Sequence, residues 1–160
     1  MELAALGAAA KCLRPRVIFE MGTFMGRTGR VMLINGGDGA RLFTLDLPAD
    51  QCAHVPGKDL RGTPEETRTT FLSGDSMNFD FSPWYGKCDM VWVDACHDYE
   101  YVVSDTENAL KMVTPGGWVL WHDYRHTAWW SGVTKCVRGL KKDHPSLTHI
   151  LGTTMAALKC

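Results

Sequence analysis

Two segments of this 160-residue chain carry acids and histidines just where apolar runs end: Val-Asp-Ala-Cys-His-Asp-Tyr-Glu at 93–100 and Pro-Gly-Gly-Trp-Val-Leu-Trp-His-Asp at 115–123. Such a run reads as a strand buried on both faces of a parallel sheet. In open α/β sheets, ligands bind outside the carboxyl ends of the strands. Asp94, His97, His122 and Asp123 would then meet in one crevice. Carboxylates from neighbouring strands, about 4.8 Å apart, can share a hard divalent cation such as Mg²⁺ or Mn²⁺. The competing reading is a pair of acids that cap the following helices. His122 and Asp123 are adjacent, so in an extended strand they face opposite ways. Both can ligate only if the strand has ended, and Asp123 is the stronger candidate. His97, three residues past Asp94, has the ordinary pKa near ~6.5 that suits a base at neutral pH. Its bland alternative is a histidine satisfied by the next helix start.

The elements that must position these groups follow from periodicity and punctuation. Residues 2–13 are Ala/Leu-rich and helix-prone, and Arg14-Pro15-Arg16 stops them. Residues 17–21 form a first strand ending at Gly22, and Gly26-Arg27-Thr28 opens a helix that runs to about Asn35 and closes at Gly36-Gly37. Residues 41–47 are a second strand, and residues 48–68 a Pro/Gly-rich loop with a short helix near 64–69. Short strands follow at 70–72 and 89–94, then a helix over 99–113. Pro115-Gly116-Gly117 turns into a strand over 118–121. A helix over 129–142 and a hairpin of 148–151 with 154–158, joined through Gly152, complete the chain. This alternation predicts an α/β fold: a Rossmann-like, doubly wound, mostly parallel seven-stranded sheet, helices on both faces, and a C-terminal antiparallel hairpin.

Glu20-Met-Gly22-Thr23-Phe24-Met-Gly26-Arg-Thr28 joins the first strand to its helix. Glycines there permit a tight turn and close approach of a ligand. The middle glycine of the dinucleotide pattern G-x-G-x-x-G is Phe24 here, which argues against a pyrophosphate cradle and hence against a nicotinamide oxidoreductase. A plain strand–helix turn, with Thr28 only an N-cap, fits the segment equally well. Asp46 lies twenty-four residues past Gly22, a distance at which an acid commonly receives the two hydroxyls of a ribose. Gly74-Asp75-Ser76 ends the third strand and could bond an adenine amino group. Asp105 and Glu100 read as helix-surface or capping charges, and His54, His126, His144 and His149 as ordinary. Tyr99, Tyr124, Trp129 and Trp130 flank the crevice as a possible apolar wall.

Composition narrows the class. A net charge of −1 with no basic run longer than Lys141-Lys142 disfavours nucleic acid. The six cysteines form no Cys-x-x-Cys pair, which argues against structural zinc and a disulfide framework. No run approaches the ~20 apolar residues of a membrane span, and the apolar start lacks a basic n-region. The expectation is one soluble, cytoplasmic domain over residues 1–160.

Taken in order, the glycine loop, Asp46, Gly-Asp-Ser, Val-Asp-Ala-x-His-x-Tyr-Glu and Pro-Gly-Gly-x-x-x-x-His-Asp resemble the class I S-adenosylmethionine-dependent methyltransferases. Within them they are similar to the small metal-dependent O-methyltransferases of the macrolide-sugar and cephalosporin-hydroxylase-like group. The resemblance implies that Glu20, Gly22, Thr23, Gly26 and Thr28 lie beside the methionine part of S-adenosylmethionine. It implies Asp46 at the ribose and Asp75 with Ser76 at the adenine. Asp94 would serve cofactor, metal and catalysis, Asp123 and His122 would complete the metal site for Mg²⁺, and His97 would be the base. His122 departs from the acid often found there in the family. The implied substrate is a small hydroxylated molecule (sugar, catechol or natural product), and a homo-oligomer is open. A metal-independent methyltransferase and a catalytically inactive cofactor-binding module are the alternatives.

Overall fold

The computed structural model describes residues 2–125 and 131–160. Among the described residues there are seven strands: β1 (Val17–Met21), β2 (Arg41–Asp46), β3 (Thr69–Ser73), β4 (Cys88–Val93), β5 (Val113–Trp121), β6 (Thr148–His149) and β7 (Ala156–Lys159). They form one sheet in the order β3-β2-β1-β4-β5-β7-β6. The first five run parallel, and β7 lies antiparallel between β5 and β6.

Alternation along the central strands decides which helix covers which face. Ile18, Met90, Trp92 and Leu120 join Leu6 and Ala10 of α1 (Glu2–Leu13) and Met32 and Leu33 of α2 (Arg27–Gly36) in one core layer. Phe19, Met21, Val91, Val93, Val119 and Trp121 face the other way, against α3 (Tyr99–Met112) and α4 (Ser131–Leu140). Each fully buried large apolar side chain contributes about 1.5–3 kcal/mol, so two filled layers hold the sheet between its helices. Asp89 pins the start of β1, its Oδ2 accepting the amides of Arg16 and Val17 at 2.8 and 2.9 Å.

Two elements differ from the sequence reading. β5 begins at Val113, well before Trp118, because Val113 already pairs with Cys88. A register shift between Cys88 and Met90 absorbs Pro115-Gly116-Gly117, with Gly116 at φ +84, as a bulge rather than a turn before the strand. The closing hairpin is short on its outer strand, with only Thr148 and His149 paired to β7. The expected helix start at Trp129, together with His126 and Trp130, lies outside the described residues.

Candidate active site

The carboxyl ends of β1, β4 and β5 lie side by side, because β1 and β4 pair Met21 with Val93 and β4 and β5 pair Val93 with Trp121. The residues that follow each strand therefore meet. β5 has ended before His122, and Asp123 adopts φ +55. That left-handed turn, sparsely populated for a non-glycine residue, brings both adjacent side chains to the same spot. His122 Nδ1 lies 3.0 Å from Asp123 Oδ2 and 3.2 Å from Asp94 Oδ1. His97 Nε2 approaches the same carboxylates, 2.9 Å from Asp123 Oδ2 and 3.8 Å from Asp94 Oδ1.

One ligand atom each from Asp94, His97 and Asp123 lies within 4.8 Å of the others. Two carboxylates and an imidazole form a donor set that suits a divalent cation. His122 touches both carboxylates of that triad through Nδ1 and turns its other nitrogen outward. Its Nε2 meets Glu2 Oε2 at 2.8 Å, and Glu2 Oε1 in turn accepts the Thr154 amide and hydroxyl. Glu2 and Thr154 are site residues that no sequence signal offered, since they lie 120 and 32 positions from His122 along the chain.

Electrostatics couple these groups. Burial alone would favour neutral imidazoles, but hydrogen bonds and charge from Asp123 and Asp94 outweigh it and raise His97 to about 9 and His122 to about 11. Burial likewise opposes ionisation of Asp123 and Glu2. The histidines hold Asp123 well below the usual carboxylate range, and Thr154 with His122 brings Glu2 to about 2. In the protein alone, two imidazolium charges therefore sit against the carboxylates of Asp123 and Glu2.

Beside this cluster opens a cavity of about 240 Å³ lined by Thr23, Gly26 and Thr28 of the glycine loop, Asp94 and His122, and the apolar side chains of Leu6, Trp92 and Met155. Asp94 and His122 also line a smaller cleft that contains His97 and Cys96. The two carboxylate-bearing strand ends thus separate His97 from the larger cavity.

The loop itself is built from behind. Gly22, at φ +96, has no room for a side chain: a Cβ there would sit 2.1 Å from the Asp94 carbonyl oxygen. Phe24 takes the left-handed conformation (φ +44) that a glycine would adopt, leaves its ring 63% exposed and donates its amide to Asp46 Oδ2 at 2.6 Å. The helix begins after Gly26 with no side-chain cap, so Thr28 is not the N-cap; it lines the cavity from the first turn of α2. The loop of residues 52–63 lies across this segment, with Gly57 and Asp59 donating amides to the carbonyls of Phe24 and Met25 at 2.8 Å each.

Glu20 does not line the cavity. It is fully buried under α2, where Oε2 accepts the Thr44 hydroxyl, which also meets Thr23 Oγ1 at 2.7 Å. Glu20 thus sets the shape of the loop through Thr44 and Thr23. Burial pushes its carboxyl up to about 8, against the hydrogen bond from Thr44. The unfolded chain ionises the same group near its ordinary value of 4.5. Its contribution to stability is therefore complete below that pH and is lost as pH rises towards 8. Glu20→Gln has no proton to lose, so thermal melts should show the variant gaining on the wild type between pH 5 and pH 8. A difference in Tm that stays constant with pH would contradict this.

Asp75 and Ser76 sit past β3, away from the cavity, with Asp75 Oδ2 accepting Tyr101 Oη at 3.3 Å. Asp105, expected at the helix surface, is instead wholly buried on α3. Burial raises its carboxyl to about 7, with the Ser76 hydroxyl opposing. Glu100 is exposed in the first turn of α3, as expected. Tyr99 and Tyr124 pack in or against the core instead of forming an apolar wall, Tyr99 under Lys135 Nζ at 3.7 Å. Trp92 and Leu6 take that role. All six cysteines are free thiols.

Strand order 3-2-1-4-5-7-6, an antiparallel seventh strand and a glycine loop at the switch point between β1 and β4 define the class I methyltransferase architecture. The chain belongs to the methyltransferase-domain family, whose sequence model matches residues 19–124. A search of curated protein sequences finds no match. Among solved structures, the chain is similar to the O-methyltransferase from Bacillus cereus in complex with SAH (TM-score 0.78, 17% identity, covering 99% of this chain and 80% of that one). It is similar to TomG from Streptomyces achromogenes, an O-methyltransferase involved in tomaymycin synthesis, in complex with SAM (TM-score 0.74, 18% identity, 99% and 79% covered). The SAH-bound methyltransferase PaMTH1 from Podospora anserina is a third such structure (TM-score 0.75, 15% identity, 99% and 77% covered). At these identities the likeness is one of fold.

Proposed function

We propose that this protein transfers a methyl group from S-adenosylmethionine to a hydroxyl of a small molecule, with Asp94 and Asp123 holding a Mg²⁺ ion and His97 acting as base. The observation that carries the proposal is the convergence of Asp94, His97 and Asp123 at two adjacent strand ends beside a cavity walled by the glycine loop. Similar solved structures in complex with SAH and SAM support the choice of cofactor. S-adenosylmethionine, when bound, supplies an electrophilic methyl group for in-line displacement, so the protein's main task is alignment.

On this reading Thr23, Gly26 and Thr28 bound the methionine part of the cofactor, Asp46 receives the ribose hydroxyls, and Asp75 with Ser76 flanks the adenine. The apolar wall of Leu6, Trp92 and Met155 excludes water from the reacting centre. A divalent cation held by the two aspartates would lower the pKa of an acceptor hydroxyl. With the charge of the two aspartates offset by the cation, His97 would give up the proton they hold on it in the protein alone and could accept the one from the acceptor, while Asp123 keeps its ring oriented. The two carboxylates fit such a cation, which leaves His97 to handle the proton.

A metal-independent reading draws on one specific observation: His122 already bridges both aspartates and is itself backed by Glu2. Its imidazolium could do the electrostatic work of the cation. Titration calorimetry of S-adenosylhomocysteine into metal-free protein, then of Mg²⁺, tests both. Micromolar binding of the nucleoside with a separate Mg²⁺ heat that Asp94→Asn abolishes is the expected result. Turnover that resists EDTA would favour His122 over a metal. No nucleoside binding in either condition would refute the cofactor assignment.

A further inference from the structure

Asp46 belongs to a second cluster. Pro48 and a short 3-10 turn over Ala49–Gln51 fold the chain back after β2, so that Cys52 Sγ comes to 3.7 Å from Asp46 Oδ1. Two residues on, His54 Nε2 lies 3.5 Å from Asp46 Oδ2. One ligand atom from each of the three residues lies within 4.8 Å of the others. The His54 nitrogen is sealed from solvent yet has no hydrogen-bond partner, a state that ordinarily costs free energy. The exposed ring of Phe24 packs edge-on against the imidazole at 4.6 Å between centroids. The nitrogen is thus held facing the carboxylate without a bond to satisfy it.

We propose that Asp46, Cys52 and His54 form a zinc site, and that zinc bound there excludes the ribose of the S-adenosyl cofactor. Thiolate, imidazole and carboxylate together are the donor set of a borderline-soft cation, unlike the oxygen-rich Asp94–Asp123 site. Zinc–ligand bonds of about 2.0–2.3 Å in tetrahedral geometry place ligand atoms roughly 3.3–3.6 Å apart. His54 lies 3.5 Å from one Asp46 oxygen and Cys52 3.7 Å from the other, and with one donor atom from each residue inside 4.8 Å a small inward adjustment reaches that spacing. Three protein ligands leave the fourth position to water. Binding displaces the thiol proton of Cys52 into solvent and forms a zinc–sulfur bond, with no redox change.

Exclusion follows from lone pairs. Asp46 Oδ2 already accepts the Phe24 amide and Oδ1 the Leu47 amide, and each carboxylate oxygen has about two acceptor sites. What remains is enough for a ribose diol or for a cation, not for both. This part of the inference rests on the ribose role proposed for Asp46.

Co²⁺ as a spectroscopic stand-in for zinc separates the site from the cofactor assignment. The wild-type protein should develop a near-ultraviolet thiolate-to-cobalt band that zinc abolishes, that Cys52→Ser removes, and that needs at least tenfold more Co²⁺ in His54→Ala. Zinc should raise the apparent Kd for S-adenosylhomocysteine at least tenfold in the wild type and leave Cys52→Ser unaffected. No thiolate band, or one that survives Cys52→Ser, overturns the site. An intact band with nucleoside affinity indifferent to zinc overturns the exclusion. Failure of the nucleoside to bind even metal-free protein overturns the exclusion together with the cofactor assignment, while the cobalt band still decides the zinc site.

Discussion

Replacing His97 by alanine should lower kcat by about 10²–10⁴-fold, the usual worth of general-base assistance, while the affinity for S-adenosylhomocysteine stays within about twofold of wild type. The split follows from geometry. His97 sits in the small cleft beyond Asp94 and His122 and is absent from the wall of the larger cavity, where the glycine loop lies. Its bond to Asp123 orients the ring without tying it to the loop. Single-turnover measurements with a hydroxylated acceptor, set beside nucleoside titration, read the two effects separately. Unchanged turnover would remove His97 from the chemistry. Loss of Mg²⁺ binding in the variant would reassign it from base to ligand.

Gly22→Ala should be the most damaging single methyl group in the chain. Left-handed backbone costs a non-glycine residue about 1–3 kcal/mol, and an overpacked contact about as much again. Here the contact is with the Asp94 carbonyl oxygen, which cannot swing aside as a side-chain tip would. Together these amount to about 2–6 kcal/mol, or roughly 5–20 °C in Tm for a chain of this size. The strain also falls on Asp94, so whatever protein remains folded should bind Mg²⁺ and nucleoside poorly. Gly39→Ala, where a Cβ would meet nothing, is the control. A Gly22→Ala protein that melts within about 1 °C of wild type would mean that β1 and β4 part more easily than their packing indicates.

Much of this arrangement was legible because local rules and global fold agree. The apolar runs of β1, β4 and β5, closed by glycine, acid and histidine respectively, announce parallel strands and the edge at which ligands gather. The limit on His122 and Asp123 was legible too: both face the site because the strand ends first. What escaped were contacts between residues remote in sequence or inverted in burial. Glu2 meets Thr154 across 152 positions, a pairing that no periodicity encodes. Asp105 sits at a helical position whose neighbours Val102 and Ala109 are apolar, which was the available hint that it faces inward. The start of β5 was obscured because proline and glycine signal a turn when the partner strand is unknown, and a bulge when it is. Cys52 and His54, spaced C-x-H after Asp46, carried a metal-like signal that only the fold-back of the chain makes meaningful.

The strand order has an evolutionary consequence. Because β1 stands mid-sheet, the chain before β4 supplies the loop, Asp46 and Asp75, whereas β4 onward supplies Asp94, His97, His122 and Asp123. On the proposed reading, one half answers to a ligand that never varies and the other to whatever acceptor a lineage happens to use. Sequence drift should therefore be lopsided across homologues: constrained in the amino-terminal crossovers, permissive around the walls contributed after β4. New acceptors could be acquired by revising one half of the gene while the other is inherited unchanged.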